Sequence, residues 1–285
     1  MNAIPSPVPS PAPNRHEGGP PVALTVAGSD SGGGAGIQAD LKTFQAFGVY
    51  GTTALTSVTA QDTRGVHAVH PVPPEMVRAQ MMAVIEDLRP RSVKTGMLGT
   101  REVVEVVADV LATAEIGSFV LDPVMVATSG DPLIQPEAIR ALRGELLPLS
   151  TLVTPNLDEA EMLTGVEVRD EAGMTAAGQL LLDAGAGAVL VKGGHLAGGA
   201  LVDVLVTPAG VRRWTTTRIE TRSTHGTGCT LSAACAAGLA KGLGLEDAVG
   251  AALSYVRRAI ASAPSLGSGH GPLNHLPDAG GPSPE

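Results

Sequence analysis

The residues with the most chemical promise sit where apolar runs stop. Gln61 follows TALTSVTA, Asp122 follows SFVL, Asn156 follows TLVTP and Lys192 follows AVLV. An ammonium at Lys192, flanked by Gly193 and Gly194, can face phosphate oxygens, or it can simply be a solvated lysine at a strand end. Asn156 and Glu159 are three apart across a strand end and a helix start. Their oxygens suit a hydrated Mg²⁺ beside phosphates, although a carboxylate in a first helical turn also complements the helix dipole. Asp122 directly precedes Pro123 and reads equally as a turn residue. The plain structural roles do not explain why all four residues fall at strand ends.

The segment THGTGCTLSAACAAG adds a nucleophile. Gly226 and Gly228 permit a sharp turn, and Cys229 opens an Ala-rich run with strong helix propensity. The N–H groups of Thr227, Gly228 and Cys229 then converge on one spot, where a helix N-terminus contributes about half a positive charge. Such a spot suits the oxygens of a phosphoryl group in transfer. The same field is expected to lower the pKa of the Cys229 thiol, which makes it a candidate proton acceptor rather than a small packed residue. Cys235, about 240° further round the helix, takes the packed role and cannot easily bridge to Cys229.

These residues need a scaffold of alternating strands and helices. VALTVAG leads through a turn with five glycines between residues 28 and 36 into Ile37, Leu41, Phe44 and Phe47, which share one helical face. The glycines allow close backbone approach to a ligand, or only a tight strand-to-helix connection. The pattern recurs at SVKTGM before REVVEVVADVLA, at SFVLDPV, at TLVTPN before LDEAEMLTG, and at AVLVKGG. Near-continuous apolar strands joined by helices imply a mostly parallel sheet covered on both faces, with ligands at the carboxyl ends of the strands. LVDVLVTPAGVRRWTTTRI reads as an antiparallel hairpin at one edge, and two helices joined at GLGLED close the chain.

Composition bounds the rest. A chain of 285 residues with 44% apolar side chains can bury a large core. Its 28 acidic against 19 basic residues, with three Phe, two Tyr and one Trp, leave neither a basic surface nor stacking platforms for nucleic acid. There is no GxxxxGK[ST], no in-register GxGxxG, no GxSxG and no HExxH, and His67 with His70 reads as a loop pair rather than a metal site. Residues 1–21 and 277–285 are expected to be disordered, with one domain over 22–276. The N-terminus lacks the features of a signal peptide, and no apolar run approaches a membrane span, so a soluble cytoplasmic protein is expected.

Taken together, AGSDSGGGAGIQADLKTF, AQDTRG, VKTGML, VLDPVM, ATSGDPL, TPNLDEAEML, VKGGH and THGTGCTLSAA closely resemble the hydroxymethylpyrimidine/phosphomethylpyrimidine kinases of thiamine biosynthesis. The resemblance spans about residues 22–276. It implies a ribokinase-like three-layer αβα fold, a central mostly parallel sheet and an antiparallel edge hairpin. It implies phosphorylation by ATP of 4-amino-5-hydroxymethyl-2-methylpyrimidine, then of the resulting monophosphate. Gln61 would recognise the aminopyrimidine, since a carboxamide sets a donor beside an acceptor. Asp40, Gly28, Ala35, Gly96, Met97 and Val124 would line the same pocket.

By the same resemblance Asp122, Asn156 and Lys192 would contact phosphates, with Gly226, Thr227 and Gly228 as anion hole. Glu159 and Asp122 would meet Mg²⁺ through water, and Cys229 and Lys192 would be catalytic. Many ribokinase-like enzymes carry aspartate at the end of that turn. The cysteine is similar to that of a group of pyridoxal kinases, which leaves pyridoxal kinase as the alternative and a non-catalytic pyrimidine-binding protein as a further one. A monovalent cation is left open, and a homodimer is expected by family analogy.

Overall fold

The computed structural model describes residues 19–126, 133–194 and 200–277. Most of both expected disordered tails, and of ATSGDPL, lies outside them. Strand β1 (Val22–Ser29) leads through the glycine-rich turn to α1 (Gly36–Ala46), and β2 (Tyr50–Asp62) returns beside it. After β3 (Gly65–Pro71) come α2 (Pro74–Leu88), β4 (Ser92–Thr95), α3 (Arg101–Thr113), β5 (Ser118–Leu121) and α4 (Pro136–Ala141). A π turn over Leu142–Leu146 precedes β6 (Leu152–Val153), α5 (Leu157–Thr164), α6 (Glu171–Asp183) and β7 (Val189–Val191). The chain closes with the hairpin β8 (Ala200–Thr207) and β9 (Gly210–Thr217), then α7 (Thr227–Ala240) and α8 (Leu245–Ala261).

The strands form one sheet in the order β3-β2-β1-β4-β5-β6-β7-β8-β9. From β2 to β7 the pairing is parallel, while β8 and β9 are antiparallel, as expected for the edge hairpin. The opposite edge is antiparallel too: β3 folds back on the far half of β2. GVHAVHP gives little sequence signal because nearly all of it is exposed and it has no buried face to write a period. His67 and His70 therefore lie on a strand and not in a loop, with His67 Nε2 3.1 Å from Asp62.

The period of two along each strand divides the core. Leu24, Val26, Val93, Phe119, Leu121, Val153, Val189 and Val191 face the layer of α2 to α6, while Ala23, Val120, Leu152 and Leu190 face α1, α7 and α8. Burying each such aliphatic side chain contributes roughly 1.5–3 kcal/mol. The same alternation turns Lys94, between Val93 and Thr95, toward α1.

The order of strands also makes the cleft. From β1 the chain passes to α1 on one face, and from β4, its neighbour, it passes to α3 on the other. Connections that leave adjacent strands in opposite directions open a crevice at the carboxyl end of the sheet.

Candidate active site

One side of this crevice is built from the ends of β5, β6 and β7. The Asp122 carboxylate, 1% exposed, accepts from Lys192 Nζ and Thr154 Oγ1 at 3.3 Å and from Ser232 Oγ of α7 at 3.0 Å. Lys192 Nζ also lies 3.6 Å from Glu159 Oε2. One cation thus stands between two carboxylates. Burial opposes its charge, but Asp122 and Glu159 raise the Lys192 pKa above the usual lysine value. Burial, helped by Asp122, pushes Glu159 up to about 7 against the pull of Lys192.

Asn156 and Glu159 form a reciprocal capping box at the start of α5. Asn156 Oδ1 accepts from the Glu159 N–H at 2.9 Å and Glu159 Oε2 accepts from the Asn156 N–H at 2.8 Å. The sequence suggests for Glu159 no structural role beyond complementing the helix dipole; the structure gives both side chains a capping role, and Glu159 also reaches Lys192. The main chain knits these residues together, for the Lys192 N–H donates to the Pro155 carbonyl at 2.8 Å.

Facing them is the turn before α7. Gly226 has φ +82° and a Cβ there would collide with the Gly34 carbonyl, so only glycine fits. A Cβ on Gly228 would sit 3.4 Å from Lys192 Nζ and 4.0 Å from Asp122 Oδ2, which places the open face of the turn against the charged cluster. The helix begins at Thr227, two residues before the expected start. The Thr227 N–H donates to the Thr224 carbonyl at 3.3 Å, so the free donors of the turn are those of Gly228 and Cys229.

The thiol departs from the sequence expectation. Burial pushes Cys229 up to about 11, with the carboxylates of Asp40 and Asp122 adding to the rise. Lys94 and the Gly36 N–H, which donates to the sulfur, pull the other way without prevailing. The helix terminus does not make a standing thiolate, because desolvation outweighs it. Both cysteines are free, and Cys235 is buried as expected.

The other side of the crevice is organised by groups that the sequence did not announce. Lys94, fully buried, lies 2.9 and 3.0 Å from the two oxygens of Asp40 on α1, and Thr25 Oγ1 donates to the same carboxylate at 2.6 Å. Burial opposes the Lys94 cation, yet Asp40, with Cys229 and Asp122 behind it, raises its pKa. Asp40 is thus within electrostatic reach of the sulfur, but its oxygens are engaged. A lysine inside the apolar strand SVKT was the signal, since a buried charge requires a partner.

Asp30 fills the glycine-rich turn from within. Its carboxylate accepts the N–H groups of Gly32, Gly34 and Ala35 at 2.8, 3.0 and 2.8 Å, and His225 Nε2 lies 2.8 Å from it. The turn's amides are spent on Asp30, so Ala35 has no free N–H for a ligand. A Cβ at Gly28 would push aside the end of the Met97 side chain, and Gly96 lies against Ala27 and Lys94. Met97 and Val124 are half-buried along the same crevice, as is Gln61 near the end of β2.

The sheet order, its two helical layers and this crevice define a ribokinase-like α/β kinase, a class that the solved structures share. A Staphylococcus aureus pyridoxal kinase in complex with AMP-PCP superposes with a TM-score of 0.86 at 36% identity, covering 92% of this chain and 96% of that one. The family model for phosphomethylpyrimidine kinase matches residues 30–274, and the chain belongs to that family. A hydroxymethylpyrimidine/phosphomethylpyrimidine kinase of Rhizobium meliloti (strain 1021) is 54% identical over 259 residues, 90% of this chain and 97% of the relative. The crystal structure of a phosphomethylpyrimidine kinase from Clostridium difficile matches at 41% identity with a TM-score of 0.76, over 84% of this chain and 99% of that one. Among the described residues no helix is long and apolar enough to cross a membrane.

Proposed function

We propose that the chain transfers the γ-phosphoryl group of ATP to the primary alcohol of 4-amino-5-hydroxymethyl-2-methylpyrimidine, and then to the monophosphate so formed, in thiamine biosynthesis. The observation that carries this reading is the place of Cys229. Its backbone belongs to the first turn of α7 facing Lys192 and Asp122, while its sulfur accepts a hydrogen bond from Gly36 on the pyrimidine side. An alcohol held there lies between a proton acceptor and the phosphate turn.

In this reading Gln61 binds the aminopyrimidine edge, with Met97, Val124, Gly28, Ala35 and Gly96 shaping the pocket. Asp40 acts through its pair with Lys94, which sets the charge beside the sulfur. Lys192 and the N–H groups of Gly228 and Cys229 meet the equatorial oxygens of the transferred group, where preorganised donors give the largest electrostatic gain. Asp122 and Glu159 fit Mg²⁺ of the partly hydrated kind. Among the described residues no cluster of three or more His, Cys, Asp or Glu could cage a metal, and two buried carboxylates beside a phosphate site are what a water-keeping ion uses. Bound there, the ion neutralises charge on the phosphate oxygens.

Because the thiol holds its proton at neutral pH, the first transfer gains from every rise in pH that populates thiolate. The second transfer uses an already ionised phosphate and needs no base. Cys229→Ala is therefore expected to slow the first step by about 10²- to 10⁴-fold and to flatten its rise with pH, while the second changes far less. Single-turnover assays of each step measure this, and equal losses in both would rule out the thiol as base.

A further inference from the structure

After α8 the chain runs as an irregular strap over residues 266–275 and meets three segments of the crevice at once. At the tip of the β2–β3 hairpin, the His270 N–H donates to the Thr63 carbonyl at 2.7 Å and the Gly269 N–H to Thr63 Oγ1 at 3.2 Å. Before α7, the Gly271 N–H donates to the Arg222 carbonyl at 3.2 Å, and the Gly271 carbonyl accepts the His225 N–H at 3.1 Å. At the glycine-rich turn, a Cβ on Gly34 would stand 3.1 Å from Pro272 Cβ. The far end of the strap is anchored on α7 and α8. Leu273 and His275 are buried, Tyr255 Oη donates to the His275 carbonyl at 2.7 Å, and His275 Nε2 lies 3.0 Å from Oγ1 of Thr230, the residue after Cys229.

The strap fits without slack. Gly267, Gly269 and Gly271 alternate along it, and each lies where a neighbour leaves no room. A Cβ on the first would collide with the Thr63 side chain, one on the second with the Thr63 carbonyl, and one on the third would stand 2.8 Å from Ser223 Oγ. The hairpin itself packs little against the body of the protein, since β3 is nearly all exposed. Its register also shifts between Ala60 and Gln61, so the ladder is interrupted where Gln61 stands. Such a bulge re-aims a side chain, and contacts from outside the ladder must then hold it. Ser31 supplies one, its hydroxyl accepting the Gln61 N–H at 2.8 Å and donating to the Gln61 carbonyl at 2.6 Å. Two residues further on, the strap holds Thr63.

We propose that Thr63, gripped by the strap, is a positioning residue that fixes the hairpin tip relative to the turn before α7 and so sets the reach from Gln61 to Cys229. This rests on the assignment of Gln61 to the pyrimidine and of Cys229 to its alcohol. The strap is bonded both to the hairpin that carries Gln61 and to the turn that leads to Cys229, so these two groups do not drift apart independently. In-line attack tolerates little drift, since a misplacement of about 1 Å can cost about 10²-fold in rate. Lys192, Asp122 and Asn156 are held by one another at the ends of β5, β6 and β7. The strap therefore bears on the alcohol and not on ATP.

Gly269→Ala, which drives a methyl group against the Thr63 carbonyl, is the strongest test. With ATP saturating, kcat/KM for the pyrimidine alcohol is expected to fall about tenfold or more, while KM for ATP changes by less than about twofold. Thr63→Val keeps the shape but removes the acceptor of the Gly269 N–H, and should cost about fivefold, the worth of one hydrogen bond. Thr63→Ser should recover most of that loss. These milder variants decide the matter if Gly269→Ala folds poorly. In a Gln61→Ala background each substitution should cost much less, because the group being positioned is gone. Losses that multiply undiminished there, or pyrimidine and ATP constants that worsen together, would make the strap a structural brace only and overturn the proposal. So would an unchanged kcat/KM in Gly269→Ala and Thr63→Val while Gln61→Ala lowers it. If Gln61→Ala itself left kcat/KM for the pyrimidine unchanged, the assignment of Gln61 would fall and this inference with it.

Discussion

Lys94 and Lys192 both stand beside carboxylates near Cys229, yet they are built for different ends. Lys94 is wholly enclosed, matched one to one with Asp40 at 2.9–3.0 Å and braced by Thr25. Lys192 is 14% exposed, sits 3.3 and 3.6 Å from two carboxylates, and has less positive charge around it than negative. A closed, balanced pair resists rearrangement. An open, unbalanced cluster can exchange partners when phosphate oxygens and a cation enter. The first ties α1 to β4 beside the sulfur, and the second is the cluster proposed to meet the transferred group.

Changes at each lysine should separate these roles. Lys94→Met leaves the Asp40 carboxylate buried without its cation, and a loss of about 3–5 kcal/mol is expected by urea unfolding. Adding Asp40→Asn to that variant should recover much of the loss. A melt close to that of the unchanged protein would show that the pair is not architectural. Lys192→Met should instead keep its stability, since Glu159 can take up a proton, while kcat for both phosphorylations falls about 10²- to 10³-fold. Unequal losses in the two steps would place Lys192 outside the shared phosphate site.

The smallest effect is a pH dependence. Glu159 holds its proton up to about pH 7 in the folded chain, above the ordinary glutamate value of 4.5. The folded state thus binds more protons, so this contribution to stability is full at pH 4.5 and below and is lost as pH rises through about 7. Glu159→Gln keeps an oxygen to accept the Asn156 N–H at the start of α5 and removes the titration. Its melting temperature should fall less between pH 5 and 8 than that of the unchanged chain. Parallel curves would mean that Glu159 is ionised throughout.

The gathering of Asp122, Asn156 and Lys192 was legible because each follows an apolar strand at its carboxyl end, a local pattern. The capping box of Asn156 and Glu159 was missed, although their three-residue spacing before an apolar run is its signal. The side around Asp30 and His225 was not legible. Asp30 and His225 meet across 195 positions of chain, and glycines at 28, 34 and 226 matter for what collides with them rather than for any spacing of their own. Strand β3 hid because a mostly exposed edge has no hydrophobic period. The expectation of a Cys229 thiolate failed because helix termini are visible in sequence, whereas the burial that opposes them depends on α1 and β4 packing against the turn.

One crevice is expected to phosphorylate an aminopyrimidine alcohol twice. Mass spectrometry of products from ATP, Mg²⁺ and 4-amino-5-hydroxymethyl-2-methylpyrimidine, with pyridoxal as a competing alcohol, tests it most directly. The monophosphate should appear first and the diphosphate should follow, with pyridoxal phosphate a minor product. Phosphorylation of pyridoxal alone, or ADP formed without any phosphorylated pyrimidine, would show that the crevice does not act on the aminopyrimidine.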